Sequence, residues 1–339
     1  MAQVMHLLCG DIGGTKTIVQ HVGVDDTCFN HSEKRYASNA FPDFETLLAD
    51  FLDTLDEETR ASISAACFGV AGPVMATDTA QTSRITNLPW VLDSARIANR
   101  FQLPRVALIN DFEAIGYGIE ALESSDLVSI QAGVVSENGN QLVIGAGTGL
   151  GVAQRVWSAD RYKVFATEGG HCEFAPADTQ QLKLAEFLLH QLGRNSIEFA
   201  LSGPGLINIY RFLCQQEGQT ESVEYQSIMQ ADDPAAAIAA LADENSASLP
   251  CLALKLFVRV YGGQAGNFAL SSLALGGVYI GGGIAPKILP HLQEGEFIQA
   301  FNAKGKMAEL MQRVPVKVIT NPDVGLLGSR VYAEILANI

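Results

Sequence analysis

Near the start of the chain, Gly10-Asp11-Ile12-Gly13-Gly14-Thr15 closes an apolar stretch. Glycines let a turn bring backbone N–H groups up to phosphate oxygens, and Thr15 adds a hydroxyl donor. A bare carboxylate would repel bound phosphate, so Asp11 points to a divalent cation between them, held through water. The same residues also suit a glycine-rich hairpin turn that binds nothing. A second cluster, Gly145-Ala146-Gly147-Thr148-Gly149-Leu150-Gly151, fails the dinucleotide fingerprint. Leu150 stands where its last glycine belongs, and the chain resumes as a strand rather than a helix. No segment follows the Gly-x-x-x-x-Gly-Lys-Ser/Thr pattern of a P-loop. The third cluster, Gly281-Gly282-Gly283-Ile284-Ala285-Pro286, is expected to open a helix and could admit a flat base against bare backbone. A tight strand-to-helix turn is the plainer alternative.

Polar residues gather at three further places. Asn110-Asp111 ends a strand, where Asn110 and Glu113 make a capping box and Asp111 suits the positive end of the following helix. Glu168-Gly169-Gly170-His171 puts an acid and an imidazole around a flexible turn, and Glu198 shortly precedes Ser202-Gly203-Pro204-Gly205. His171-Cys172-Glu173 could be taken for metal ligands, but no further cysteine cluster follows.

These groups need a frame. Met5 to Cys9 and Thr17 to Val24 read as strands on either side of the first glycine turn. Phe44, Leu47, Leu48, Phe51, Leu52 and Leu55 line one face of an amphipathic helix with Asp43 as N-cap. Ile63 to Val70 and Val106 to Ile109 read as strands, Ser94 to Phe101 and Phe112 to Leu122 as helices. Strands alternating with helices indicate an α/β architecture. Gln141 to Ile144, the second glycine cluster and Val152 to Val156 then repeat the strand-turn-strand logic of the N-terminus. Helices follow at Leu182 to Leu192, Leu206 to Cys214, after the Asp233 cap with Pro234 at N1, and from about Pro250 to Leu273. Gly262, Gly263 and Gly266 lie inside the last of these, each costing ~1 kcal/mol against alanine, so something must approach its backbone closely. Val278 to Ile280 is read as the final strand and Leu326 to Ala337 as the C-terminal helix.

With 339 residues the chain has room for two domains, and 48% hydrophobic against 17% charged residues is a globular composition. Its 22 lysines and arginines face 37 acids, a net charge of −15. So acidic a chain lacks the cationic footprint of a nucleic-acid binder. The six cysteines form no Cys-x-x-Cys pair and read as reduced, mostly buried thiols of a cytoplasmic protein. Val260 to Pro286 carries no charge, yet its eight glycines and several polar residues argue for tight soluble packing and not a membrane span.

The ordered set Asp11-Ile12-Gly13-Gly14-Thr15, Ile109-Asn110-Asp111-Phe112, Gly145 to Gly151, Glu168-Gly169-Gly170-His171, Leu201 to Leu206 and Gly281-Gly282-Gly283-Ile284 resembles the bacterial-type glucokinases of the hexokinase–actin superfamily. The likeness runs on to Gly325-Leu326-Leu327-Gly328 and so covers nearly the whole chain. It implies a duplicated actin-like, ribonuclease-H-like α/β fold of hexokinase type, with two domains closing over a cleft. The small domain would comprise residues 1–121 with 323–339 returning to it, and the large domain 122–322. It further implies ATP-dependent phosphorylation of glucose at O6, with Mg²⁺, and commonly a homodimer.

By the same resemblance Asn110, Asp111, Glu168, His171 and Glu198 would hold the sugar, and Asp111 would be the catalytic base. Gly10, Asp11, Ile12, Gly13, Gly14 and Thr15 would bind ATP phosphates, with Asp11 reaching Mg²⁺ through water. Gly147, Thr148 and Gly149 would close on the phosphates, and Gly281, Gly282 and Gly283 would border the adenosine. Lys16 stands where many relatives carry Asn, and its role stays open. Cys172-Glu173-Phe174-Ala175-Pro176 after His171 lacks the cysteine cluster of the related repressor-and-kinase family, so structural zinc is not expected. No DNA-binding helix-turn-helix precedes Met5, so neither is a repressor. A kinase for mannose, fructose or an amino sugar, and a sugar-binding regulator without catalysis, are the alternative readings. The residue chemistry agrees: Asp111, Glu168 and Glu198 can accept from sugar hydroxyls, while Asn110 and His171 donate or accept.

Overall fold

The computed structural model describes residues 5–24 and 29–338, and among them the chain divides into two units. One runs to Ser124 and is rejoined by the chain from Asn321 on; the other spans Ser125–Thr320. The first unit begins with β1 (Met5–Ile12), β2 (Lys16–Val24), β3 (Phe29–Ala37), α1 (Phe44–Leu52), α2 (Glu57–Ser62) and β4 (Ile63–Val70). A small sheet of β5 (Val74–Ala76), β6 (Gln81–Arg84) and β7 (Val91–Asp93) follows, then α3 (Ser94–Phe101), β8 (Val106–Asn110) and α4 (Asp111–Gly118).

The second unit holds β9 (Leu127–Gln131), β10 (Gln141–Ala146), β11 (Leu150–Ser158) and β12 (Arg161–Thr167). Its helical part contains α5 (Thr179–Leu192), α6 (Gly203–Gln216), α7 (Val223–Met229), α8 (Pro234–Ala242) and α9 (Leu249–Ser272). It ends with β13 (Gly277–Gly281), α10 (Leu289–Gln293), α11 (Glu296–Asn302), α12 (Ala308–Gln312) and β14 (Val316–Ile319). The chain then gives α13 (Val324–Ala337) back to the first unit.

The two large sheets repeat one plan. Their orders are β3-β2-β1-β4-β8 and β12-β11-β10-β13-β14, with β9 added antiparallel beyond β14. In each, the first three strands pair antiparallel and the next two parallel. This is the duplicated actin-like α/β fold of hexokinase type, and it explains why the strand-turn-strand motif occurs twice.

Local chemistry sets the helices that matter here. Asp43 caps α1 by accepting the Thr46 N–H at 2.7 Å, a contact of ~1 kcal/mol. Phe44, Leu47, Leu48, Phe51 and Leu52 are buried on the first sheet, with the Phe44 ring edge-on to Phe68 at 5.0 Å. Burying each such side chain is worth about 1.5–3 kcal/mol. In the second unit, α9 is apolar nearly all round because it is buried nearly all round. Two of its glycines are contact points: a Cβ on Gly262 would lie 2.0 Å from the Phe297 carbonyl oxygen, and one on Gly266 2.7 Å from that of Phe301, whereas one on Gly263 would meet nothing within 4 Å. The close approach expected from the sequence is therefore α11 lying against α9.

Several expectations are corrected. β13 is not the final strand, because β14 follows it with the short alternating run Val316 to Ile319. Gly281-Gly282-Gly283 does not open a helix: turns continue to Ile288 and α10 starts at Leu289. Helix α1 ends at Leu52, though Leu55 is still buried, and α4 ends at Gly118 before a 3₁₀ turn, Ile119–Ala121. Cys9, Cys67, Cys214 and Cys251 are buried, Cys172 is exposed, and Cys28 lies outside the described residues. Among the described residues no helix is long and apolar enough to cross a membrane.

Candidate functional site

In the first unit, Gly10 and Asp11 belong to β1 itself, and the turn proper is Gly13–Thr15. The turn is pinned from behind by Ser38. Its N–H donates to the Thr15 carbonyl at 3.0 Å, and its hydroxyl donates to the Gly13 carbonyl at 2.8 Å. Gly14 is required by space, since a Cβ there would lie 2.6 Å from the Thr86 carbonyl oxygen. Thr15 and Lys16 are exposed at the tip.

The Asp11 carboxylate lies over Gly325 in the first turn of α13. Burial lifts its pKa to about 6; Lys16 and Arg35 oppose the rise and Asp323 adds to it. Arg35 is itself engaged by Asp323 through both guanidinium nitrogens, at 3.1 and 2.8 Å. Asp11 is thus an oxygen donor with under-compensated charge, which fits a hard cation. Mg²⁺ needs only one or two carboxylates besides water and phosphate oxygens. In the sequence Gly325 figures only as part of the closing motif Gly325-Leu326-Leu327-Gly328, with no place in the site. Its signal was the pair Gly325 and Gly328, three apart at the apolar start of α13.

Asn110 ends β8 and caps α4. Its Oδ1 accepts the Phe112 N–H at 2.9 Å, and its Nδ2 donates to the Gly72 carbonyl at 3.1 Å. The cap reaches Phe112 rather than the Glu113 amide, while the Glu113 carboxylate accepts the Asn110 N–H, the returning half of the expected capping box. Asp111 is the first helical residue, and its Oδ1 also accepts the Phe112 N–H, at 3.0 Å. Its carboxylate thereby meets the positive end of the helix. Helix α4 is fixed against α13 by contact without side chains: a Cβ on Gly328 would lie 1.7 Å from the Ala114 carbonyl oxygen.

In the second unit, Glu168, His171 and Glu198 come together. His171 Nε2 stands 3.8 Å from Glu168 Oε2, and Nδ1 stands 4.0 Å from Glu198 Oε1. These separations are too long for direct hydrogen bonds and leave the ring and both acids available to a polyhydroxyl ligand. Glu168 and His171 are largely exposed, while Glu198 is only 24% exposed. Leu150 donates its N–H to Glu198 Oε2 at 2.9 Å. The Ser202 hydroxyl, which caps α6, donates to the Glu198 carbonyl at 2.7 Å.

The second glycine turn is Gly147–Gly149, between β10 and β11. Gly203 N–H donates to the Gly147 carbonyl at 2.8 Å, joining this turn to the head of α6. The third cluster packs on the second. Gly145 pairs with Gly281 across the β10–β13 ladder, and Gly282, at φ +78°, has the Ala146 carbonyl oxygen 2.6 Å from where a Cβ would stand. A Cβ on Gly147 or Gly283 would meet nothing within 4 Å, so these two glycines border open space. Among the described residues no group of three or more His, Cys, Asp or Glu side chains is placed to hold a metal.

Comparisons with known proteins add a family to this geometry. The model of the glucokinase family matches residues 8–335. A glucokinase of Nostoc sp. is 41% identical over 96% of this chain and 98% of its own length. One of Synechocystis sp. is 40% identical over 98% and 99%. Among solved structures, a glucokinase from an Antarctic psychrotroph superposes with a TM-score of 0.84 at 30% identity, covering 98% of this chain and all of its own. A glucokinase from Balamuthia mandrillaris, solved with glucose, shares the fold with a TM-score of 0.77 at 22% identity over 98% and 94%.

Proposed function

The chain belongs to the glucokinase family, and from that membership we propose how its residues divide the work of moving the γ-phosphoryl group of ATP to O6 of glucose. The protein is a hexose kinase and phosphorylates glucose with ATP. The finer assignment of residues is our reading.

The observation that carries it is Asp111 at the first position of α4, with its backbone held by the Asn110 cap. A carboxylate there is favoured in its ionised form and can take a proton. The O6 hydroxyl gives its proton to Asp111 as O6 bonds to the γ-phosphorus and the bond from that phosphorus to the ADP oxygen breaks. Phosphoryl transfer has a loose transition state, so most of the protein's work is positioning and charge stabilisation. Asn110, Glu168, His171 and Glu198 engage the other sugar hydroxyls, and a sugar missing one of them would strand a buried polar group.

Residues Gly10–Thr15 and Gly147–Gly149 take the phosphates, and Gly281–Gly283 border the adenosine. Asp11 would hold Mg²⁺, and the ion would supply charge neutralisation on the phosphate oxygens when bound. The family resemblance carries with it a homodimer and a cytoplasmic setting, of which sedimentation reads the first.

ADP release measured across glucose, mannose, fructose and N-acetylglucosamine tests the reading. The largest kcat/KM is expected with glucose. A larger value for another sugar overturns the sugar assignment, and sugar-independent ADP release overturns the kinase.

A further inference from the structure

The second glycine turn holds more than phosphate chemistry. The Leu150 N–H grips Glu198 Oε2 at 2.9 Å. The neighbouring Gly149 lies so close that a Cβ on it would stand 2.6 Å from the same oxygen and 3.4 Å from the carboxyl carbon. The other oxygen, Oε1, is the one turned toward His171. One carboxylate oxygen is therefore committed to the turn, and the other is presented to the ligand side. The φ of Gly149 is not positive, so the backbone conformation does not by itself demand glycine there. What demands it is the carboxylate. By contrast, a Cβ on Gly147, two residues earlier, would meet nothing.

We propose that Gly149 is a positioning residue for the sugar: the absence of a side chain there, with the Leu150 N–H, sets the orientation in which Glu198 meets a hexose hydroxyl. This rests on the reading of Glu198 as a sugar ligand and deepens it. It gives Gly149 a role on the acceptor side beside the one its turn has toward the phosphates.

The nearest atom to the missing Cβ is the far end of a flexible side chain and not backbone. Gly149→Ala therefore costs the fold little, because the carboxylate can swing aside. The swing breaks the charge-assisted bond to Leu150 and misplaces Oε1, and a misdirected charged hydrogen bond to the ligand costs roughly tenfold or more in affinity. A merely structural glycine would lower stability without separating the two substrates.

The test is calorimetry on the whole protein, with glucose titrated in the absence of nucleotide and ADP titrated in the absence of sugar. Gly149→Ala should weaken glucose binding by about tenfold or more, a larger loss than any in ADP binding, and keep the melting temperature near that of the parent. Glu198→Asp, one methylene shorter, withdraws the carboxylate from position 149. Adding Gly149→Ala to Glu198→Asp should then cost little more than Glu198→Asp alone, a non-additive cycle. Weakened ADP binding with unchanged glucose binding overturns the proposal, as do unchanged affinities for both or full additivity with Glu198→Asp. Failure of the underlying reading shows separately, as a Glu198→Ala protein that binds glucose normally.

Discussion

Asp11 and Gly325 meet across the first unit: a Cβ on Gly325 would lie 3.5 Å from Asp11 Oδ2. The strand that ends in the first glycine turn therefore delivers its carboxylate onto the first turn of the C-terminal helix. A side chain at 325 would touch the carboxylate at ordinary van der Waals distance, so the contact is close without requiring glycine.

The raised pKa of Asp11, about 6 against an ordinary value near 3.8, has a sign that can be checked. The folded protein binds this proton more tightly than the unfolded chain does, so stability falls as pH rises from about 4 to about 6. Above that window the ionised carboxylate is a standing cost in the ligand-free protein. Asp11→Asn should raise the melting temperature at pH ~8 relative to the parent, with the difference shrinking toward pH ~4. The same variant should have crippled turnover with near-normal nucleotide-free glucose binding. Parallel melting curves across pH, or full turnover, would contradict this.

Asp111→Asn retains the shape and a hydrogen-bonding oxygen but cannot take a proton. A loss of at least ~100-fold in kcat is expected, with a much smaller change in glucose affinity by calorimetry. If Asp111 served only the helix end, the melting temperature would fall and turnover per folded molecule would stay near normal.

Gly328→Ala should act on catalysis from a distance. Its Cβ would stand 1.7 Å from the Ala114 carbonyl oxygen and 2.7 Å from the Gly118 nitrogen, both backbone atoms of α4. Helix α4 must shift, at a cost of about 1–3 kcal/mol or more, and it carries Asp111 with it. Lower stability together with lower kcat is expected. A protein with parental melting temperature and rate would show that the two helices have slack.

His21 gives a pH signature unrelated to the reaction. It is buried, its ring stacks on His6 at 5.2 Å, and its Nε2 lies 3.0 Å from His6 Nδ1. Burial, then the neighbouring His6, push its pKa down to about 4, with Asp56 opposing. The unfolded chain binds this proton more tightly, so the stability contribution is present above pH ~6.5 and is lost as pH falls toward 4. His21→Gln should flatten the fall in stability between those values, read by urea denaturation at each pH. An unchanged slope would remove His21 from the acid sensitivity.

The linear sequence determined the pieces whose causes are local. The period of Phe44 to Leu52 and the Asp43 cap define α1, because both act within a few residues along one helix. The repeated glycine turns announced a repeated strand-turn-strand, and the glycines inside the uncharged run Val260 to Pro286 announced a close approach to its backbone. Short or polar strands were less legible. β3, β9 and β12 are mostly exposed or half-buried and are held by their neighbours in the ladder, while β14 is buried but only four residues long.

The tertiary structure decided which residues face one another. Nothing in the spacing of Glu168-Gly169-Gly170-His171 says that Glu198 stands on the other side of the imidazole. Nothing in Gly149 says that its missing side chain makes room for a carboxylate from another turn. Nor does Asp11 announce Gly325. Cap and base were rival readings of Asn110-Asp111, because a sequence assigns one label to one residue. In the folded chain the Asn110 cap pins the peptide on which the Asp111 carboxylate is carried, so a single arrangement accommodates both readings. Such relations depend on distances closed by the sheet ladder and by glycine-to-backbone contacts between helices. Those distances are fixed only when the whole unit packs.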